Sequence, residues 1–75
     1  MGRKAAFNVG PQLKYLRLSH NLTQQQLADK IDTSRTYISD IEAGRDTPSL
    51  KLLAKMAQAY NVTMADIVKG AEDNK

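Results

Sequence analysis

Thr23-Gln-Gln-Gln-Leu-Ala-Asp-Lys-Ile-Asp-Thr-Ser-Arg-Thr-Tyr-Ile-Ser-Asp-Ile-Glu-Ala-Gly44 carries two helix signatures back to back. Thr23-x-x-Gln26 is a capping box, in which the hydroxyl takes a free backbone N–H and Gln26 reaches back to the cap. Leu27, Ala28 and Ile31 follow on one face at helical spacing. Asp32-Thr33 makes a corner, and Ser34 is a good N-cap for a second helix. Ile38 and Ile41 lie three apart on one side of that helix. Gly44 ends it, because glycine enters the left-handed region without steric cost. The segment reads as two short helices joined by a tight turn, with polar residues crowding the start of the second.

Working outward, Pro11 suits the first turn of a helix from Gly10 or Pro11 to His20, where its missing N–H costs nothing. Leu13, Leu16 and, beyond the helix end, Leu22 offer apolar contacts. Downstream, Thr47-Pro48 reads as cap and first residue of a fourth helix, with Leu50, Leu53, Met56, Ala57 and Tyr60 at three- and four-residue spacing. Asn61-Val62 is a break. Thr63 then caps a short fifth helix carrying Ile67 and Val68, closed by Gly70. Strand signals are missing, since no period-two alternation is sustained. The expectation is an all-α chain: a compact bundle of five short helices over residues 10–69, with a flexible arm at 1–9 and a flexible tail at 70–75.

Composition narrows the classes. An apolar content of 41% supplies a small core, and a chain of 75 residues reads as one domain of modest stability. With no cysteine, neither disulfides nor thiolate ligands can staple it. No apolar run approaches the roughly 20 residues of a membrane span. The basic start, Met1 to Phe7, lacks the apolar region of a signal peptide. A soluble, cytoplasmic chain is expected. Residues 1–28 hold four basic side chains and no acidic one, whereas residues 29–75 hold seven basic and eight acidic. A positive first third suits attraction to phosphates; a chance excess on a solvated surface would look the same. Catalysis finds little support. His20 is the sole histidine and reads as a cation at a helix C-terminus, and the four glycines are too dispersed for a phosphate loop. No enzyme activity, metal or cofactor is expected.

Leu13-x-x-Leu16-Arg17, Leu22-Thr23-Gln24-x-x-Leu27-Ala28, Ser34-x-x-Tyr37-Ile38-Ser39-x-Ile41-Glu42-x-Gly44 and Pro48-Ser49-Leu50-x-x-Leu53 together resemble the phage-repressor helix-turn-helix family, of Cro/CI or xenobiotic-response-element type. The likeness covers about residues 10–68, with the helix-turn-helix unit at 23–44. It implies a lambda-repressor-like fold and a sequence-specific DNA-binding transcriptional regulator, bacterial or phage-encoded. It also implies a homodimer on a pseudo-palindromic operator, with the helix at 35–43 in the major groove. The stretch Arg35-Thr36-Tyr37-Ile38-Ser39 is also of a kind seen in restriction–modification controllers. The family usually has glycine where this chain has Asp32, a residue that tolerates the left-handed region better than most. A different role is open to the same fold: an antitoxin or adaptor whose main task is to hold a protein partner.

If Ile38 and Ile41 face inward, Arg35, Thr36, Ser39 and Asp40 remain on the outer face. The resemblance assigns base reading to Arg35, Thr36 and Asp40. Arg35 suits guanine O6 and N7 or, in its place, a phosphate, and Thr36 a thymine methyl or a purine edge unless it is simply solvated. Ser39 either reads a base edge or stays solvated. Two roles are open to Asp40, accepting from cytosine N4 or pairing with an arginine. Phosphate contacts are expected from Thr23, Gln24, Tyr37 and Arg45. Thr23 is at least a cap, and the ring of Tyr37 partly core. Arg3 and Lys4 offer either a loose basic arm near the DNA or a solvated tail. Lys51 and Lys55 read first as a solvated helix face, with phosphate at the edge of the footprint as the alternative. By the same resemblance Arg17 and Glu42 form a partly buried structural ion pair. Tyr60, Val62 and Ile67 are expected in the core, and Met64 and Val68 at the dimer interface.

Overall fold

Each helix boundary is set by a group that satisfies backbone N–H or C=O atoms left over at a helix end. The computed structural model describes residues 8–73, which form five helices. They are α1 (Gly10–Ser19), α2 (Gln24–Lys30), α3 (Arg35–Glu42), α4 (Leu50–Tyr60) and α5 (Met64–Asp73), with no strand among the described residues. The capping box at Thr23 is complete: Gln26 N donates to Thr23 Oγ1 at 3.0 Å, and Thr23 N donates to Gln26 Oε1 at 2.9 Å. Ser34 Oγ accepts from Tyr37 N at 3.1 Å and starts α3.

The first four helices end by one device. A residue in the left-handed region follows each helix, and the next N–H bonds back to a carbonyl five residues earlier. The left-handed residues are Asn21, Asp32, Gly44 and Asn61. The returning bonds run from Leu22 to Arg17, Thr33 to Ala28, Arg45 to Asp40 and Val62 to Ala57. Asp32 therefore holds the corner at φ 60°, as its side chain permits.

Two boundaries differ from the sequence reading. α4 is capped by Ser49, whose hydroxyl accepts from Leu52 N at 3.1 Å, and not by Thr47. Proline is compatible with a cap at Thr47, since a cap residue is itself extended, but it is the Ser49 hydroxyl that reaches a free N–H of the helix. The buried stripe accordingly starts at Leu52, while Leu50, at the first helical position, is 75% exposed. At the other end Gly70 does not close α5, which continues to Asp73. α1 passes close to Gly70, where a Cβ would meet the far end of the Gln12 side chain and displace that flexible group. The tail expected from residue 70 thus begins no earlier than the end of α5. Asn8 and Val9 likewise belong to the start of α1, where Asn8 Oδ1 accepts from Gly10 N and Val9 O from Leu13 N. The rest of the expected arm, with Arg3 and Lys4, lies outside the described residues.

α1 packs on α3 and α5, α2 on α3, and α4 on α5. Between them lies one core of Leu13, Leu27, Ala28, Ile31, Ile38, Ile41, Leu52, Leu53, Met56, Ala57, Tyr60 and Ile67. Every helix contributes to it, so no helix is anchored by its propensity alone. The start of α1 meets the end of α3 most closely, since a Cβ on Gly10 would sit 2.5 Å from the Ile41 carbonyl oxygen and 2.7 Å from that of Glu42. Among the described residues no helix is long and apolar enough to cross a membrane.

Candidate nucleic-acid interface

α3 is short, and its two faces differ sharply. Ile38 and Ile41 are fully buried, which leaves Arg35 and Thr36 exposed and Ser39 and Asp40 half-buried on the outward side. Thr36 and Asp40 are one turn apart in one row, and Arg35 and Ser39 in the adjacent row. The structure thus brings all four expected base-reading residues onto one solvent-facing surface. No protein hydrogen bond from a described residue ties down the side chain of Arg35 or Thr36.

Behind this surface lies the ion pair. Arg17, on α1, donates from Nε to Glu42 Oε2 at 2.7 Å and from Nη2 to Oε1 at 2.9 Å. Its Nη1 donates to the Leu22 carbonyl at 2.7 Å. Both side chains are nearly sealed, with 7% and 4% of their surface exposed. The Glu42 hydrogen bonds raise the Arg17 pKa above its ordinary value against the opposing effect of burial. This two-pronged bond fixes the end of α3 to α1, while the capped start of α2 is joined to it through Gln24. Gln24 Nε2 donates to Glu42 Oε1 at 3.1 Å, a contact the sequence did not suggest.

The remaining expected residues surround α3. Thr23 is engaged as the α2 cap through both its hydroxyl and its N–H. Tyr37 is half-buried against the core, and its hydroxyl donates to the Thr47 carbonyl at 3.4 Å, across the α3–α4 loop. Arg45 turns back onto Asp40: its Nε donates to Oδ1 at 3.0 Å, with Nη2 3.0 Å from the same oxygen. Of the two roles open to Asp40, pairing with an arginine is the one seen. A signal for it was present, because the glycine turn at Gly44 returns Arg45 N to the Asp40 carbonyl and sets the two side chains side by side. Met64 and Val68 are both half-buried on α5, and Met64 also packs against the core.

His20 caps α1 with Nδ1 2.8 Å from the Leu16 carbonyl oxygen, and its ring centroid lies 5.4 Å from that of Tyr60. The Tyr60 hydroxyl is buried without a hydrogen-bond partner among the described residues. Burial, reinforced by Glu42, pushes its pKa well above the ordinary phenol value. These contacts make His20 and Tyr60 a structural pair at the end of α1.

Comparison with known proteins agrees with this geometry. A family model described as helix-turn-helix matches residues 13–67. An uncharacterized HTH-type transcriptional regulator of Methanocaldococcus jannaschii is 50% identical over 56 residues, covering 75% of this chain and 85% of that protein. The crystal structure of the clp gene regulator ClgR from Corynebacterium glutamicum superposes with a TM-score of 0.85 at 30% identity, over 89% of this chain and 71% of that one. SinR, a master regulator for biofilm formation solved in complex with DNA, gives a TM-score of 0.74 at 27% identity, over 79% of this chain and 95% of that one. The chain spans less than half the length of several other curated relatives it matches. With its capped helix pair, buried Ile38 and Ile41 and polar outer face, the chain belongs to the helix-turn-helix family of DNA-binding transcriptional regulators.

Proposed function

We propose that the protein binds a pseudo-palindromic duplex site as a homodimer, with α3 of each copy in the major groove. The observation that carries this reading is the outward face of α3, with Arg35 and Thr36 exposed and Ser39 and Asp40 half-buried, opposite the buried Ile38 and Ile41. A helix presented this way offers its first two turns to base edges. Arg35 has a guanidinium unencumbered by described residues and is the strongest reader, suited to guanine. Thr36 and Ser39 supply shorter polar contacts beside it.

Phosphate contacts come from the start of α2 and from Tyr37. Gln24 uses one amide N–H on Glu42, and an amide nitrogen carries two. Its second N–H serves a phosphate and would tie the DNA backbone to the ion pair that holds α3. Thr23 contributes through position more than through a free hydroxyl. One α3 spans few base pairs, so two copies set about 34 Å apart give the specificity that one lacks. The half-buried face of α5 around Val68 and Met64 supplies the contact between them.

Titration of a labelled mixed-sequence duplex across a range of salt tests the first half of this reading. Each phosphate neutralised should steepen the slope of log K against log salt by about 0.9. Sedimentation of wild type and Val68→Glu tests the second. A wild-type dimer that becomes a folded monomer in the variant supports the α5 interface. A salt-independent titration, or a dimer indifferent to Val68→Glu, would contradict the corresponding half.

A further inference from the structure

Asp40 is the one acidic residue on the reading face, and a carboxylate approaching a duplex is repelled by the phosphates unless something compensates it. Arg45 does so within the same chain. Its Nε donates to Asp40 Oδ1 at 3.0 Å, and its Nη2 lies 3.0 Å from that oxygen. The backbone makes this arrangement a built one. Arg45 N and Asp46 N both donate to the Asp40 carbonyl, at 2.8 and 3.2 Å, and Gly44, just before them, makes the turn at φ 80°. Among the described residues, no hydrogen bond reaches the second carboxylate oxygen, Oδ2. The Asp40 side chain stays 34% exposed.

From this geometry we infer that Asp40 and Arg45 act as one reading unit, with Asp40 accepting from the exocyclic amine of a base and Arg45 serving as its positioning residue. Arg45 neutralises the carboxylate and fixes its rotamer through Oδ1, while Oδ2 keeps its lone pairs for a donor. In the major groove such a donor is cytosine N4–H₂ or adenine N6–H₂. Thymine O4 and guanine O6 present acceptors and would meet Oδ2 with repulsion. The pair thus selects for an amine and against a carbonyl at one base step. This rests on the placement of α3 in the groove. It replaces the expected phosphate contact of Arg45 with a role exerted through Asp40.

The test measures binding of wild type, Asp40→Ala, Arg45→Ala and the double variant to a panel of duplexes. In the panel each base pair of the wild-type-selected site is replaced in turn. Wild type should prefer a cytosine or adenine at one step per half-site by about tenfold, within the range of a good base contact. Asp40→Ala and Arg45→Ala should each flatten that same step, and the double variant should flatten it no further. Because the pair is exposed, all variants should melt close to wild type. A phosphate-bound Arg45 would give a different pattern. Arg45→Ala would then weaken every sequence equally and lower the salt slope by about 0.9, with the base preference intact. That result, or an unchanged preference in Asp40→Ala, overturns the inference and leaves DNA reading by α3 standing. Wild type without any sequence preference would overturn both.

Discussion

Arg17→Met is the substitution whose cost the structure defines most closely. It removes three hydrogen bonds, two to Glu42 and one to the Leu22 carbonyl. The Glu42 carboxylate, with 4% of its side chain exposed, would keep only the 3.1 Å contact from Gln24. A buried charge stripped of its partner costs about 3–5 kcal/mol. At roughly 0.05–0.15 kcal/mol per residue, a domain of 75 residues has only about 4–11 kcal/mol to lose. Arg17→Met should therefore lower the urea midpoint by about a quarter or more, and Glu42→Leu alone should behave similarly. Arg17→Met/Glu42→Leu removes both charges together. What remains is the Leu22 carbonyl and the Gln24 amide without their partners. A sealed group would cost about 1–3 kcal/mol each, and both residues are half-buried, within reach of water, so the two together stay near that range. The double variant should thus be more stable than either single one, with a coupling energy of about 3 kcal/mol or more. Equilibrium urea unfolding followed by circular dichroism measures all four corners of the cycle, provided the slopes agree. A single variant within about 1 kcal/mol of wild type would refute the reasoning, since that is the range of an exposed pair. So would additive losses in the double variant.

Gly10→Ala places a methyl group 2.5 Å from the Ile41 carbonyl oxygen, a backbone atom that has no side-chain freedom with which to yield. It should cost about 1–3 kcal/mol in urea melts, where an exposed helical position would instead gain from alanine. Tyr60→Phe removes a buried hydroxyl that has no partner among the described residues, and should leave stability unchanged or raise it by up to about 1 kcal/mol. A loss well above that range would mean that the hydroxyl is satisfied in solution. At the start of α5, Thr63 and Asp66 exchange hydrogen bonds of 3.0 and 2.9 Å, and the bond from Thr63 N lowers the Asp66 pKa. A depressed carboxyl stabilises the fold above its unfolded pKa and loses that contribution as pH falls through the folded one. The difference in melting temperature between wild type and Asp66→Ala should therefore be largest near neutrality and shrink below the ordinary carboxylate range. A difference that holds constant into acid would rule out the charged cap.

Much of the fold was legible because its signals are local. Thr23-x-x-Gln26, Ser34, Asp32 and Gly44 each specify a helix end through their own side chain or φ angle, and each does so in the structure. The α4 start was ambiguous because Thr47-Pro48-Ser49 offers two caps in succession, both compatible with the proline, and only the folded chain shows that Ser49 takes the free N–H. Gly70 was misleading for a different reason. A glycine near a helix end can stop the helix or admit a neighbour, and only the packing of α1 against α5 distinguishes the two. The outer face of α3 follows from the positions of Ile38 and Ile41 alone. The link from Gln24 to Glu42 does not, because it joins separate helices 18 residues apart in sequence and depends on how α2 crosses the end of α3. The Asp40–Arg45 pair lies between these cases: the turn that creates it is written at Gly44, but its geometry appears only once the chain is folded.

The central claim, that α3 reads base pairs, is tested most directly by selecting bound sequences from a random duplex pool with wild type and Arg35→Ala in parallel. Salt should be held near 150 mM, about physiological ionic strength, because weaker screening inflates non-specific binding. The account predicts an enriched inverted repeat with wild type, and loss of preference at one base step per half-site in the variant. Binding without an enriched sequence, or an unaltered motif in Arg35→Ala, would contradict it and turn attention to a protein partner for the same fold.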